Sequence, residues 1–170
     1  MALFEPLIDA FERAGVRYVI VGGLATVLHG FARLTADVDL IVDLDPAEAK
    51  KAIAVLVGLG FRPRAPVDAF EFADPERRSS WIRDKGMRVF SMYDPDNPMR
   101  EVDLFVEHPI AFRDLWERAE VLHLSTTVAR VAAIPDLITL KRLANRPEDR
   151  TDIEALEAIA RRKGKRTDDA

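Results

Sequence analysis

Two aspartates separated by one residue project from the same side of a predicted strand. The segment 36–43 alternates polar and apolar residues, with Val38 between Asp37 and Asp39. Since successive side chains of a strand point to opposite faces, both carboxylates share a face, about 6 to 7 Å apart. That separation suits Mg²⁺, a hard cation that binds oxygen ligands and accompanies nucleoside triphosphates. Taken by itself, such a pair is better explained as part of a solvated strand face.

A glycine pair precedes the two aspartates. The segment Val16–Val21 is rich in β-branched and aromatic residues and predicts a strand, which stops at Gly22 and Gly23 before a short predicted helix. Glycines allow a sharp turn and the close approach of a phosphate to backbone N–H groups. A plain strand-to-helix turn is the alternative. The position of the turn, with thirteen residues between Gly23 and Asp37, favours phosphate binding.

A third acid lies in another predicted strand. Asp103 stands between Val102 and Leu104, in an apolar setting where an unpartnered carboxylate would be costly. We expect it to act as a metal ligand, or as a general base that helps an acceptor hydroxyl attack the α-phosphate. Glu101 shares its face of the strand and is the competing candidate.

The glycine pair, the two aspartates and Asp103 together resemble the signature of the nucleotidyltransferase (DNA polymerase β-like) superfamily. The resemblance implies an α/β (α+β) fold, with a mixed β-sheet flanked by helices and a helical C-terminal end. It implies an enzyme that moves a nucleoside monophosphate from an NTP such as ATP to a hydroxyl acceptor, with Mg²⁺ as cofactor. Asp37, Asp39 and Asp103 would be its catalytic residues and metal ligands.

Two further segments resemble the minimal nucleotidyltransferases and the AbiEii-type toxin nucleotidyltransferases. Arg33 and Thr35 place a basic and a hydroxyl residue before the paired acids, and segments 136–141 and 146–153 are similar to the closing motif of the toxins. By themselves, an exposed loop arginine and a turn threonine would explain the first two residues. The nucleotide-binding residues implied by the resemblance are Gly22, Gly23, Arg33, Thr35 and Lys141.

Lys141 has two candidate partners in the closing motif. It lies on a helix predicted to start at Pro135, while Asp149 and Asp152 are three residues apart on the next helix, predicted to start at Pro147. We expect a contact between Lys141 and these acids, with phosphate as the alternative partner. An acid in a first helical turn also stabilises the helix by about 0.3 to 1 kcal/mol without any further role.

The chain is predicted to form one nucleotidyltransferase domain over 1–170. Residues 1–108 form its α/β catalytic core, and 109–170 form a mainly helical portion. Apolar spacing predicts a first helix that ends at Gly15, and the sequence from Asp45 predicts another that ends near Gly58. Strand-like segments follow at 67–72, 87–92, 101–106 and 121–131.

Composition limits the function classes. With 25 basic and 29 acidic residues the net charge is -4, which does not suit a generic nucleic-acid binder, although basic clusters at 77–85 and 161–166 keep RNA open. The absence of cysteine excludes disulfides, thiolate metal sites and cysteine nucleophiles. Without an apolar stretch of 18 residues, no membrane partner is expected and the predicted location is the cytoplasm.

Three functional hypotheses follow. The toxin resemblance implies tRNA as acceptor and a cognate antitoxin protein as partner. The second hypothesis is a small-molecule adenylyltransferase similar to aminoglycoside-modifying enzymes, and the third is a noncatalytic nucleotide-binding or antitoxin module. Trp81 stands among Arg77, Arg78 and Arg83 and is predicted to contact the acceptor, whereas His29 is predicted to be structural.

Overall fold

The computed structural model describes residues 4–35 and 37–168, so the predicted strand start at Ala36 lies outside the described residues. The helices are α1 (Glu5–Arg13), α2 (Gly22–Leu28), α3 (Pro46–Gly58), α4 (Pro75–Lys85), α5 (Phe112–Arg118), α6 (Ile134–Ala144) and α7 (Asp149–Asp168), with a 3₁₀ helix (Ala69–Ala73) before α4. The strands are β1 (Tyr18–Val21), β2 (Asp37–Val42), β3 (Arg62–Pro63), β4 (Val89–Asp94), β5 (Asn97–Phe105), β6 (Glu120–His123) and β7 (Val128–Val131).

These strands form one mixed sheet in the order β3-β4-β5-β2-β1-β7-β6. Strand β2 is parallel to β5 and antiparallel to β1, and β1 is parallel to β7. The predicted α/β class with a mixed sheet is confirmed. Because β7 pairs with β1, the sheet extends across the predicted boundary between 1–108 and 109–170. The single domain over 1–170 stays a prediction.

The central strands bury one face completely. The side chains of Val38 and Leu40 on β2 and of Val102 and Leu104 on β5 have no exposed surface. Burial of one such side chain contributes about 1.5 to 3 kcal/mol to folding. The opposite face of the same two strands carries the acids, which therefore project from a firmly packed backbone.

The helices predicted from capping and spacing form as expected. Leu7, Ile8 and Phe11 of α1 are 1% exposed or less, and Gly15 follows the helix with a φ of +63°. The Asp45 carboxylate caps α3 by accepting a hydrogen bond of 3.0 Å from the backbone N–H of Ala47. None of the described helices is long and apolar enough to cross a membrane.

The strand predicted at 67–72 is wrong, because a 3₁₀ helix occupies this segment. The Asp68 carboxylate accepts a hydrogen bond of 2.7 Å from Phe70 N–H, and Glu71 completes a capping box with it. These local side-chain bonds outweigh the strand preference of the phenylalanines. Helix α4 was not predicted, although Asp74 caps it and Pro75 begins it, the same start signal as that of α3.

Candidate active site

The three predicted acids meet on the half-buried face of β2 and β5, opposite the apolar one. In the parallel register Asp39 is paired with Asp103, and Asp37 with Glu101. Asp37, Asp39 and Asp103 each offer a carboxylate oxygen within 4.8 Å of the others. The strand alternation anticipated this arrangement for Asp37 and Asp39, and the pairing of β2 with β5 adds the third acid.

The competing acid, Glu101, is already paired. Its carboxylate accepts a bidentate pair of hydrogen bonds from the Arg64 guanidinium, 2.8 Å from Nε and 2.6 Å from NH2. The Arg64 bonds lower the pKa of the Glu101 carboxyl. Asp103, by contrast, has a buried Oδ1 without a hydrogen-bond partner among the described residues. The geometry therefore makes Asp103 the third member of the cluster.

Gly22 is required where it stands. Its φ is +65°, and a Cβ added there would overlap Asp39 Oδ2 and lie 2.6 Å from Asp39 Cγ. Gly23 is similarly crowded, since a Cβ at that position would lie 2.7 Å from Thr35 Oγ1. The glycine pair thus allows the turn to approach both the acid strand and the segment that leads into it.

Burial and mutual repulsion control the charge of the cluster. Burial, followed by the negative charges of Asp37 and Asp103, raises the pKa of Asp39 to about 7. Burial also raises the pKa of Asp103. A side-chain hydrogen bond from Ser91, the residue opposite it on β4, acts in the other direction and lowers this pKa. The positive charge of Arg146 lowers the pKa of both acids. A cation bound here would remove the repulsion that favours the protonated forms.

The cluster fits a divalent metal ion. Three carboxylates supply hard oxygen ligands, and the unpaired, buried Oδ1 of Asp103 has an unmet need for a hydrogen-bond donor or a cation. The close approach of Asp39 to the glycine turn further fixes the direction of its carboxylate. Asp37, Asp39 and Asp103 are therefore the residues that could hold the predicted Mg²⁺.

Thr35 and Arg33 lie between the glycine turn and the acids. The Thr35 hydroxyl is 3.4 Å from Asp37 Oδ1. The Arg33 guanidinium carbon would be 3.6 Å from a Cβ at Gly23, and its NH1 is bonded to the carboxylate of Asp152. Both residues are therefore near the predicted nucleotide site, while their contact with a nucleotide stays a prediction.

Lys141 forms the predicted contact with the acids of α7. Its Nζ is 2.6 Å from Asp152 Oδ2 and 3.6 Å from Asp149 Oδ1, and its side chain is 7% exposed. The contact links α6 with α7. Direct binding of phosphate by Lys141, the alternative in the sequence analysis, stays a prediction.

Two residues near the cluster were missed from the sequence. Arg146 was noticed only as part of the closing motif, yet its charge acts on Asp39 and Asp103. It follows Asn145, which ends α6 in the left-handed conformation with a φ of 51°. Ser91 was missed because its relevance depends on the pairing of β4 with β5. The asparagine at the helix end was the available signal for the turn that carries Arg146.

The predicted acceptor contact of Trp81 is wrong. The indole is 4% exposed and stacks on Phe90 at a centroid distance of 5.2 Å, so it belongs to the core. Arg78 beside it is 6% exposed and donates to the backbone carbonyls of Phe72 and Leu44. Helix α4 places both residues on its buried face. The charged neighbours of Trp81 in the sequence could not show this.

His29 has the structural position predicted for it. The side chain is 7% exposed, and its Nε2 lies 2.8 Å from the backbone carbonyl of Ala132. This bond ties the end of α2 to the segment after β7. It therefore stabilises the packing of α2 beside the sheet.

The raised pKa of Asp39 predicts a pH-dependent stability. Between its ordinary value of 3.8 and about 7, the folded metal-free protein holds a proton that the unfolded chain has released. The contribution of Asp39 to the free energy of unfolding therefore falls as pH rises through this window. Without metal, the melting temperature of wild type minus that of Asp39→Asn should fall from pH 5 to pH 8, and added Mg²⁺ should stabilise wild type more at pH 8. A pH-independent difference would contradict the assignment.

Comparison with known proteins identifies the fold. No protein-family profile and no curated protein matches this chain. Among solved structures, the lincosamide antibiotic adenylyltransferase LnuA in its lincomycin-bound form matches with a TM-score of 0.63 and 16% identity, over 93% of this chain and 96% of that one. The antibiotic-resistance factor ANT(2'')-Ia matches with a TM-score of 0.55 and 14% identity, over 98% and 91%. The chain therefore has the nucleotidyltransferase fold that its sequence motifs resemble.

Proposed function

We propose that this protein is an Mg²⁺-dependent nucleotidyltransferase that transfers a nucleoside monophosphate from an NTP to a hydroxyl acceptor. The observation that carries the proposal is the convergence of Asp37, Asp39 and Asp103 within 4.8 Å on one face of the sheet. Burial, followed by repulsion from the neighbouring carboxylates, raises the pKa of Asp39, and a bound cation would relieve the repulsion. The fold of the two antibiotic-modifying or resistance proteins supports the same chemistry.

The acids and the reacting hydroxyl have distinct roles in this proposal. Mg²⁺ held by the three carboxylates would neutralise charge on the triphosphate and align its α-phosphate. Asp103, with its unpartnered Oδ1, would take the proton of the attacking hydroxyl. A bond forms between that oxygen and the α-phosphorus, the bond from the α-phosphorus to the bridging oxygen breaks, and pyrophosphate leaves.

The glycine turn and its neighbours are the proposed triphosphate site. Gly22 and Gly23 let the nucleotide approach the backbone, and Thr35 offers a hydroxyl beside Gly23. Arg33 brings a guanidinium, whose planar fork suits phosphate oxygens. We do not assign Lys141 a direct contact with the triphosphate, because its ammonium is nearly buried between two carboxylates.

A small hydroxyl-bearing molecule is the favoured acceptor. LnuA is an adenylyltransferase of a lincosamide antibiotic, and ANT(2'')-Ia is an antibiotic-resistance factor. The basic stretch that favoured RNA is largely neutralised: Arg77 pairs with Glu71, and Arg83 with Asp84. Without a free row of cations on α4, a long polyanion gains little from this surface.

The second candidate acceptor is tRNA, in a toxin of a toxin-antitoxin pair. The observation that favours it is the Lys141 contact with Asp149 and Asp152, which joins the two halves of the segment that resembles the closing motif of AbiEii-type toxins. In that case a cognate antitoxin protein would be the partner. A noncatalytic nucleotide-binding module is the third possibility and differs by the absence of turnover.

One assay separates these functions. Purified protein is incubated with Mg²⁺, each NTP labelled at the α-phosphate, and a panel of lincosamides, aminoglycosides and total tRNA. We expect label on one small-molecule class, and a loss of kcat of about 10²- to 10⁴-fold in Asp103→Asn, the usual range for a general base. Label on tRNA alone would establish the second candidate. No transfer together with no NTP binding would overturn the proposed function.

A further inference from the structure

Asp152 is a buried acid shared by two cations from different parts of the chain. Its side chain is 4% exposed, and Oδ2 accepts from both the Lys141 ammonium and Arg33 NH1. Lys141 comes from the neighbouring helix α6, whereas Arg33 is 119 positions away in sequence, in the loop between α2 and β2. One carboxylate of α7 therefore reaches the loop that leads into the acid cluster.

Among the described residues, Asp152 is the hydrogen-bond partner of the Arg33 side chain that lies outside the loop. The neighbouring Leu34 is 96% exposed, so its apolar side chain contributes no burial. Arg33 Nε donates to the backbone carbonyl of Leu34 itself, a bond within the loop. The ion pair with Asp152 is thus the contact that fixes the guanidinium relative to the rest of the fold.

Lys141 and Asp149 support Asp152 from the inner side. Lys141 is held between the two acids, and Asp149 Oδ2 also accepts a hydrogen bond of 3.1 Å from the backbone N–H of Arg146. A carboxylate buried as deeply as that of Asp152 is stable in its position only when the cations that pair with it are present. The inner ion pairs therefore hold the Asp152 carboxylate in one place, from which it can orient Arg33.

Arg33 keeps donors for a second anion. A guanidinium has five N–H donors in a fixed plane, and its contact with Asp152 is made through NH1. The guanidinium lies against Gly23, and 30% of the side chain is exposed. An incoming phosphate at the glycine turn can therefore bond Arg33 without displacing Asp152.

We propose that Asp152 is a positioning residue, which holds Arg33 beside the Gly22-Gly23 turn so that α7 determines the geometry of the triphosphate site. This inference rests on the proposed function, because it assigns Arg33 to the nucleotide. It gives the closing motif a role in nucleotide affinity and none in the proton transfer at Asp103. The expected signature is a change in NTP binding that disappears once Arg33 has been removed.

A double-mutant cycle on nucleotide binding tests the proposal. The dissociation constants of the four Mg²⁺-bound ribonucleoside triphosphates are measured by calorimetry, without acceptor, for wild type, Asp152→Asn, Arg33→Gln and the double variant. We expect each single change to weaken nucleotide binding about tenfold or more. The double variant should bind the nucleotide no more weakly than the single variant of lower affinity. In transfer assays, Asp152→Asn should raise the KM for NTP with a smaller change in kcat.

Control variants separate positioning from general stability. Asp136→Asn removes another nearly buried acid, which Arg118 pairs bidentately at the start of α6, and should lower the melting temperature without changing nucleotide affinity. If Asp152→Asn does not fold, Asp152→Glu replaces it in the cycle, since the longer side chain keeps the charge but shifts it. The same non-additivity is expected.

The outcomes distinguish the inference from the function beneath it. Nucleotide affinity unchanged within about twofold in Asp152→Asn, or effects of the two changes that multiply, would overturn the positioning role. If the wild type binds no NTP at all, the proposed function fails and the positioning role fails with it. Binding by the wild type with an unaffected Asp152 variant removes the positioning role alone.

Discussion

Replacing Asp37 and Asp39 together by Asn is expected to abolish nucleotidyl transfer while the protein stays folded. Two of the three carboxylates that could hold Mg²⁺ would be lost, and with them most of the negative charge that attracts the cation. Removal of groups that clamp a transferring phosphoryl group costs about 10³-fold or more. Stability should be retained or rise in metal-free buffer above pH 7, because the variant no longer places repelling charges side by side. Transfer assays and thermal unfolding with EDTA measure the two effects.

The segment that follows the same strand offers a matched control for this double variant. Asp43→Asn/Asp45→Asn also removes two charges at i, i+2, but just beyond the other end of β2, where Asp43 pairs with Arg17 and Asp45 caps α3. Losing the cap should cost about 0.5 to 2 kcal/mol of stability and leave transfer intact. If the acid-cluster variant unfolds instead, or if both double variants lose activity alike, the acids have a structural role and the catalytic assignment is wrong.

The acid cluster could be predicted because its geometry follows from strand periodicity. Asp37 and Asp39 share a face in any strand, and the apolar neighbours of Asp103 indicate a second strand of the same kind. Only the parallel register, which pairs Asp39 with Asp103, had to come from the structure. For Gly22, the sequence predicted a tight turn but not the contact with the Asp39 carboxylate.

The contacts that the sequence could not give are those set by tertiary packing. The bond from Arg33 to Asp152 joins residues 119 positions apart, and no local pattern relates them. Trp81 was misassigned because its charged neighbours suggested an exposed surface, whereas the amphipathic helix turns it inwards. Around Phe70, the capping hydrogen bond to the Asp68 carboxylate likewise stabilises a 3₁₀ helix in place of the predicted strand. In each case a partner distant from the segment, or a specific side-chain bond, decided the outcome.

Gly22→Ala is expected to lower transfer by about 100-fold or more, because a catalytic group displaced by about 1 Å loses that much activity. The added Cβ would overlap Asp39 Oδ2, which must move away from Asp37 and Asp103 or force the turn to shift. A left-handed conformation costs a residue with a Cβ about 1 to 2 kcal/mol as well. The variant should therefore show both a lower melting temperature and a weakened response to Mg²⁺.

Gly15→Ala separates the strain of the backbone from the clash with Asp39. Gly15 has nearly the same φ, +63° against +65°, but a Cβ there would meet nothing within 4 Å. The Gly15→Ala variant should lose about 1 to 2 kcal/mol of its free energy of unfolding, as Gly22→Ala does, and keep full transfer activity. Activity loss confined to Gly22→Ala would show that the turn acts through the Asp39 carboxylate. Equal kinetics in the two variants would mean that Asp39 tolerates displacement, and would count against a metal site built on its position.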